Sequence, residues 1–137
     1  DFIIVDMPPG TGDTQLTFSQ EIKMDGAIIV STPQEVALLD VKRGIKMFDK
    51  LGVKILGLID NMSYFIGDDG RKYAIFGAGG VKRTAEEFNK EFLAEIPIDP
   101  DVGKFGDHGK PIVESNPNNK ISQIYINLAK KIKSIYL

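Results

Sequence analysis

Apolar residues along this chain fall into two kinds of run. Phe2-Ile3-Ile4-Val5, Ala27-Ile28-Ile29-Val30 and Lys54-Ile55-Leu56-Gly57-Leu58-Ile59 are short, rich in β-branched residues and apolar without alternation. That is the pattern of strands covered on both faces of a parallel sheet. Phe92-Leu93-Ala94-Glu95-Ile96 is a weaker fourth candidate. Between these runs lie segments of helical length. Thr32-Pro33-Gln34-Glu35 reads as an N-cap, a proline at the first helical position and a glutamate at N3, a capping box opening a helix that continues to about Leu51, where Gly52 ends it. Val36, Leu38, Leu39, Val41, Ile45, Met47 and Phe48 cover much of its circumference, which predicts packing against the sheet. Residues 13 to 23 and 79 to 90 make two further helix candidates, and Ile121, Ile124, Tyr125, Leu128, Ile132 and Ile135 space a terminal amphipathic helix. Strand and helix alternate, so the expected fold is α/β, a mostly parallel sheet flanked by helices.

Composition narrows the function only a little. With 137 residues and 42% hydrophobic content the chain fits one domain with a continuous core. A formal charge of -2, from 17 basic and 19 acidic residues spread along the length, supplies no polybasic field for a nucleic acid. The absence of cysteine removes disulfides, thiolate metal sites and thiol nucleophiles. No apolar run reaches the roughly 18 to 20 residues of a membrane span, and a cytoplasmic setting is expected. Glu114-Ser115-Asn116-Pro117-Asn118-Asn119 reads as a surface loop ahead of the last helix.

Candidate chemistry sits where strands end, because ligands of parallel sheets gather at the carboxyl ends of their strands. The first predicted strand ends in Asp6, followed by Met7-Pro8-Pro9-Gly10. A carboxylate there can hold Mg²⁺ through its water shell, and Gly10 lets a backbone N–H approach a phosphate oxygen. A strand that simply ends in an Asp-Pro turn is the competing reading. Asn61 closes the third strand, and its amide offers one acceptor and two donors, a match to a purine edge or an ordinary turn residue. His108, the only histidine, has no Ser, Cys or second His nearby in sequence and is expected in a loop.

The strings VDMPPGTGD, TPQEVALLDVKRGIKMF, NMSYF, IFGAGG, AEIPIDP and GKPIV, in this order from residue 1 to about residue 115, resemble the Mrp family of ApbC-like iron–sulfur cluster carrier ATPases. Its relatives are MinD, ParA and the nitrogenase iron protein. The resemblance implies that Asp6 positions Mg²⁺ and the attacking water indirectly, that Gly10 senses the γ-phosphate, and that Thr11 and Asp13 continue the switch. A helix N-cap is the alternative role of Asp13. Asn61 would read adenine, with Pro97 and Asp99 in the base-contacting loop; Ile-Pro-Ile-Asp-Pro also makes a sound turn by itself. ATP with Mg²⁺, a homodimer and iron–sulfur apo-protein targets are the implied cofactor and partners.

The chain also departs from the family pattern. The family's phosphate-binding loop with its lysines is expected upstream, and this chain holds no G-x-x-x-x-G-K-[ST]. Residues 1–137 are therefore expected to be the C-terminal part of a single P-loop NTPase domain, from the switch-II strand onward, with an uncovered sheet edge where the P-loop strand would lie. Typical members carry a Cys-x-x-Cys for a bridging 4Fe–4S cluster where this chain has Tyr64-Phe65-Ile66-Gly67-Asp68-Asp69-Gly70-Arg71-Lys72-Tyr73, a hairpin pattern without a thiolate. Asp68 and Asp69 are expected to be solvated rather than metal-bound. Lys120, Lys130, Lys131 and Lys133 make the terminal helix basic, and its packing onto the domain is expected over membrane contact. A MinD- or ParA-like positioning ATPase and a nucleotide-independent binding module are the alternative functions.

Overall fold

The computed structural model describes residues 1–8 and 12–137. The elements, in chain order, are α1 (Asp13–Glu21), β1 (Ala27–Ser31), α2 (Glu35–Lys50), β2 (Ile55–Ile66), β3 (Lys72–Tyr73), α3 (Gly80–Glu87), β4 (Phe92–Ile98), α4 (Pro100–Asp107), α5 (Ile112–Ser115) and α6 (Lys120–Tyr136). β2 is the central strand: β1 and β4 lie parallel on its two sides, and β3 folds back antiparallel on its far end.

Consecutive residues of β2 point to opposite faces, so its unalternating run builds two cores at once. Leu58 joins Leu38, Val41 and Ile45 of α2 and Val81 and Ala85 of α3 on one face. Ile59 joins Ile96 of β4, Ile112 of α5 and Ile121 of α6 on the other. Each such side chain contributes about 1.5–3 kcal/mol on burial. The sheet is thus a middle layer, with α2 and α3 on one side and α4 to α6 on the other. Val36 and Leu39 of α2 remain exposed, so only one stripe of that helix is used.

The first predicted strand does not form. Residues 1–8 have no regular secondary structure, and Ile3 and Ile4 are 91% and 81% exposed. A β-branched run becomes a strand only beside a free edge that satisfies its N–H and C=O groups. Residues 2–5 pair with no strand among the described residues, and the outer edge of β1 is likewise unpaired there. The helix ends also correct the expected caps. Gln34, not Thr32, caps α2, without a side-chain bond to the helix; Thr32 Oγ1 donates to Gln34 Oε1 at 3.3 Å, so the capping box is absent. Gly12 caps α1, which makes Asp13 its first residue rather than its N-cap. The terminal helix docks through Ile121 and Ser122. It is anchored by the Lys131–Glu91 ion pair and by Tyr136 Oη, which donates to the Asp25 carbonyl at 2.9 Å. Among the described residues no helix is long and apolar enough to cross a membrane.

Candidate functional site

At the carboxyl end of the sheet, β2 and β4 separate. Their pairing passes from Asn61↔Ile96 directly to Phe65↔Ile98, and Met62 takes a left-handed conformation with φ 53°. Ser63 Oγ, buried, donates to the Ile96 carbonyl at 3.0 Å and holds the two strands together across this break. The opening so made is a cleft of about 270 Å³ between the strand ends, α4 and α6. Asn61, Pro97 and Asp99 all line it, beside Met62, Val102 and Tyr125. Three residues singled out from two stretches of sequence, Asn61 and the Pro97–Asp99 pair, therefore line one opening.

Each has a local reason for its place. Asn61 follows Asp60 on β2 and lies on the face of Ile59 and Ile96, where it lines the cleft. Pro97 sits inside β4, where it donates nothing to a ladder. Asp99 caps α4: its Oδ1 accepts from Asp101 N at 2.9 Å, with Pro100 opening the helix. The turn reading of Ile-Pro-Ile-Asp-Pro is thus met by the Asp99 cap. Val102 and Tyr125 were missed by sequence reasoning. Asp99-Pro100 carried the signal for α4, and Tyr125 stood in the apolar stripe of α6, indistinguishable from core.

The remaining candidates are elsewhere. Asp6 is exposed in the irregular leading segment rather than at a strand end. Gly10 and Thr11 lie outside the described residues. Gln15 of α1, buried, donates through Nε2 to the Pro8 carbonyl at 2.6 Å and ties that segment to the helix. His108 ends α4, with Nδ1 donating to the Lys104 carbonyl at 2.7 Å. A second cavity, of about 280 Å³ between β4 and α6, holds none of the sequence candidates.

The expected hairpin is present, with Phe65↔Tyr73 and Ile66↔Lys72 paired. Lys72 Nζ stands 4.0 Å over the ring of Tyr64. Asp69 accepts from Arg71 N at 3.0 Å and from Tyr73 Oη at 2.8 Å, bonds that hold its carboxyl below the usual range and push the Tyr73 phenol up. Its oxygens serve the turn. Among the described residues no group of three or more His, Asp or Glu side chains is placed to hold a metal ion.

A family model of the ParA group, described as NUBPL iron-transfer P-loop NTPase, matches residues 1–133. The chain belongs to that family. Among curated relatives, the iron-sulfur cluster carrier protein of Aquifex aeolicus is 43% identical over 136 residues, 98% of this chain and 37% of the relative. The carrier protein of Synechocystis is 48% identical over 134 residues, 96% of this chain and 38% of the relative. The iron-sulfur protein required for NADH dehydrogenase of Arabidopsis thaliana mitochondria is 47% identical, over 96% of this chain and 42% of the relative. The chain thus spans well under half the length of these relatives. Among solved structures, a nucleotide-binding protein of Archaeoglobus fulgidus in complex with ADP is 42% identical with a TM-score of 0.68, covering 76% of this chain and 43% of that one. The cell division ATPase MinD of Pyrococcus furiosus, 24% identical, shares the fold with a TM-score of 0.73, over 98% of this chain and 52% of its own.

Proposed function

We propose that residues 1–137 form the C-terminal part of a single nucleotide-binding P-loop NTPase domain, and that the cleft at Asn61, Pro97 and Asp99 receives the adenine of ATP. The observation that carries this reading is the convergence of these three residues on one opening at the carboxyl end of a parallel sheet. The donor set fits a base. The Asn61 amide can both donate and accept along a purine edge, while Pro97, Val102 and Tyr125 offer apolar surface to its faces.

The phosphate half of the site is not built by these residues. Asp6 stands exposed and away from the sheet, and no lysine-bearing phosphate loop occurs in the chain. In the proposed whole protein the upstream loop supplies the lysines, its strand pairs with the open edge of β1 and with residues 2–5, and Asp6 and Gly10 then face Mg²⁺ and the γ-phosphate. Bound Mg²⁺ would neutralise phosphate charge; the chain's own contribution is to hold the base.

The role proposed for the whole protein is that of its carrier relatives: an ATP-dependent, cytoplasmic, homodimeric carrier delivering iron–sulfur clusters to apo-proteins. A cluster as cargo needs thiolates or comparable ligands, and the residues here do not fit it. The chain has no cysteine, and the hairpin at residues 64–73 commits its one engaged carboxylate to the turn. No transfer step is assigned to these residues.

The test is a titration of the isotope-labelled chain with adenosine and, separately, guanosine. Adenosine is expected to shift the resonances of Asn61, Ile96, Ile98 and Asp99, with Asn61→Ala weakening the effect severalfold. Equal shifts with guanosine, or none with adenosine, would overturn the base-site reading.

A further inference from the structure

We propose that Asp60 is a positioning residue for the cleft: its carboxyl, set beside Glu95 behind the wall formed by β2 and β4, governs how those strands present Asn61. This deepens the base-site reading and rests on it for the consequence to nucleotide binding. The geometry is a pair of consecutive registers. Asp60 faces Glu95 and Asn61 faces Ile96 across the same two strands. Strand alternation places Asn61 on the cleft face and Asp60 on the opposite face, with Leu58, under α2 and α3. Asp60 therefore backs the cleft, one residue behind its lining, while Glu95 is exposed at the matching register of β4.

Asp60 is 1% exposed, and among the described residues its Oδ1 has no hydrogen-bond partner. A buried carboxylate in that condition needs a cation or a proton. Among the described residues its neighbours supply no cation. On β1 the residue in register is Ser31, whose hydroxyl donates to the Thr32 carbonyl. Toward the sheet α2 turns Leu38, Val41 and Ile45, and α3 turns Val81, Thr84 and Ala85, Thr84 donating to the Gly80 carbonyl. Charged groups of these helices pair at the rim, Lys42 with Glu87 and Arg83 with Glu35, while Lys82 and Glu86 are exposed. Glu95 is the charged neighbour on β4, and it has the wrong sign. Burial first, then the Glu95 charge, raise the Asp60 carboxyl from 3.8 to about 6.

Protonated, Asp60 carries no charge and the repulsion from Glu95, exposed at the same register on β4, is gone. Ionised, the two repel at the level just before Asn61. The backbone immediately beyond is where a small displacement is easily taken up, since the ladder breaks after Asn61 and Met62 is left-handed. Asn61 thus follows the protonation of a group it does not touch.

The experiment is a pH titration of the chain followed by amide resonances, with adenosine affinity measured across the same range. The Asn61 side-chain amide and the Met62 backbone amide are expected to shift together with a midpoint near about 6, and adenosine affinity to fall about fivefold as pH rises through it. Asp60→Asn should abolish the transition, Asp60→Glu should restore one, and Glu95→Gln should lower the midpoint. Resonances of Asn61 and Met62 that ignore pH, or a transition that survives Asp60→Asn, would overturn the proposal. If Asp60→Asn does not fold, the Glu95→Gln midpoint decides, and an unmoved value counts against it. Titrating resonances without adenosine binding at any pH would leave the coupling standing and remove the base-site reading.

Discussion

The hydroxyl of Ser63 reaches across from β2 to the carbonyl of Ile96 on β4, 3.0 Å away and fully inside the protein. This single bond spans the interval in which the two strands exchange no ladder partners, between Asn61 and Phe65. Ser63→Ala leaves the Ile96 carbonyl without that partner in a buried setting. The expected cost is about 1–3 kcal/mol of unfolding free energy in urea, with larger resonance changes around Asn61 and Pro97 than elsewhere. A loss below a few tenths, with the cleft resonances unmoved, would show that the strands are held by packing alone.

Gly57 marks a second irregularity, where the pairing of β1 with β2 shifts from Ala27↔Ile55 to Ile28↔Gly57. Its φ is 153°, and a Cβ there would lie 2.6 Å from the Glu91 carbonyl oxygen, the atom that accepts from Leu58 N. Backbone, unlike a side chain, does not swing away. Gly57→Ala is expected to destabilise the chain by about 2–4 kcal/mol, read as a lower denaturation midpoint with an unchanged slope.

The acid–base behaviour of Asp60 carries a stability consequence with a definite sign. Its folded-state value is raised to about 6 from 3.8, so the native state binds the proton more tightly than the unfolded chain. The resulting stabilisation is complete below the unfolded value and is lost as pH rises through about 6. Above neutrality Asp60→Asn is therefore expected to be more stable than the parent, by on the order of 1–3 kcal/mol, and the gap should close in mild acid. Urea midpoints of both proteins at several pH values check this, and a gap that widens toward acid would contradict it.

Catalysis gives a fourth expectation. Since Asp6 lies off the sheet and no phosphate-cradling lysine loop is present, the purified chain is expected to release no phosphate from Mg-ATP. Turnover that disappears with Asp6→Ala would refute this.

The sequence by itself determined the strands and the longer helices from Ala27 onward, though neither α4 nor α5, together with the two-faced character of β2 and the presence of a hairpin. These are set by local patterns: side-chain period, β-branching, and an Asp-Asp-Gly turn between aromatic arms. It also singled out Asn61 and the Pro97–Asp99 pair, without showing the cleft that they line. Only the tertiary structure decided whether a strand-like run finds an edge. Phe2 to Val5 have the composition of a strand and remain unpaired, because pairing is a property of two segments and the second is not among the described residues. Nor could any local pattern reveal Asp60. Its burial under α2 and α3, with Glu95 in register beside it, raises its carboxyl, and those neighbours are brought there by the packing of the chain rather than by its order.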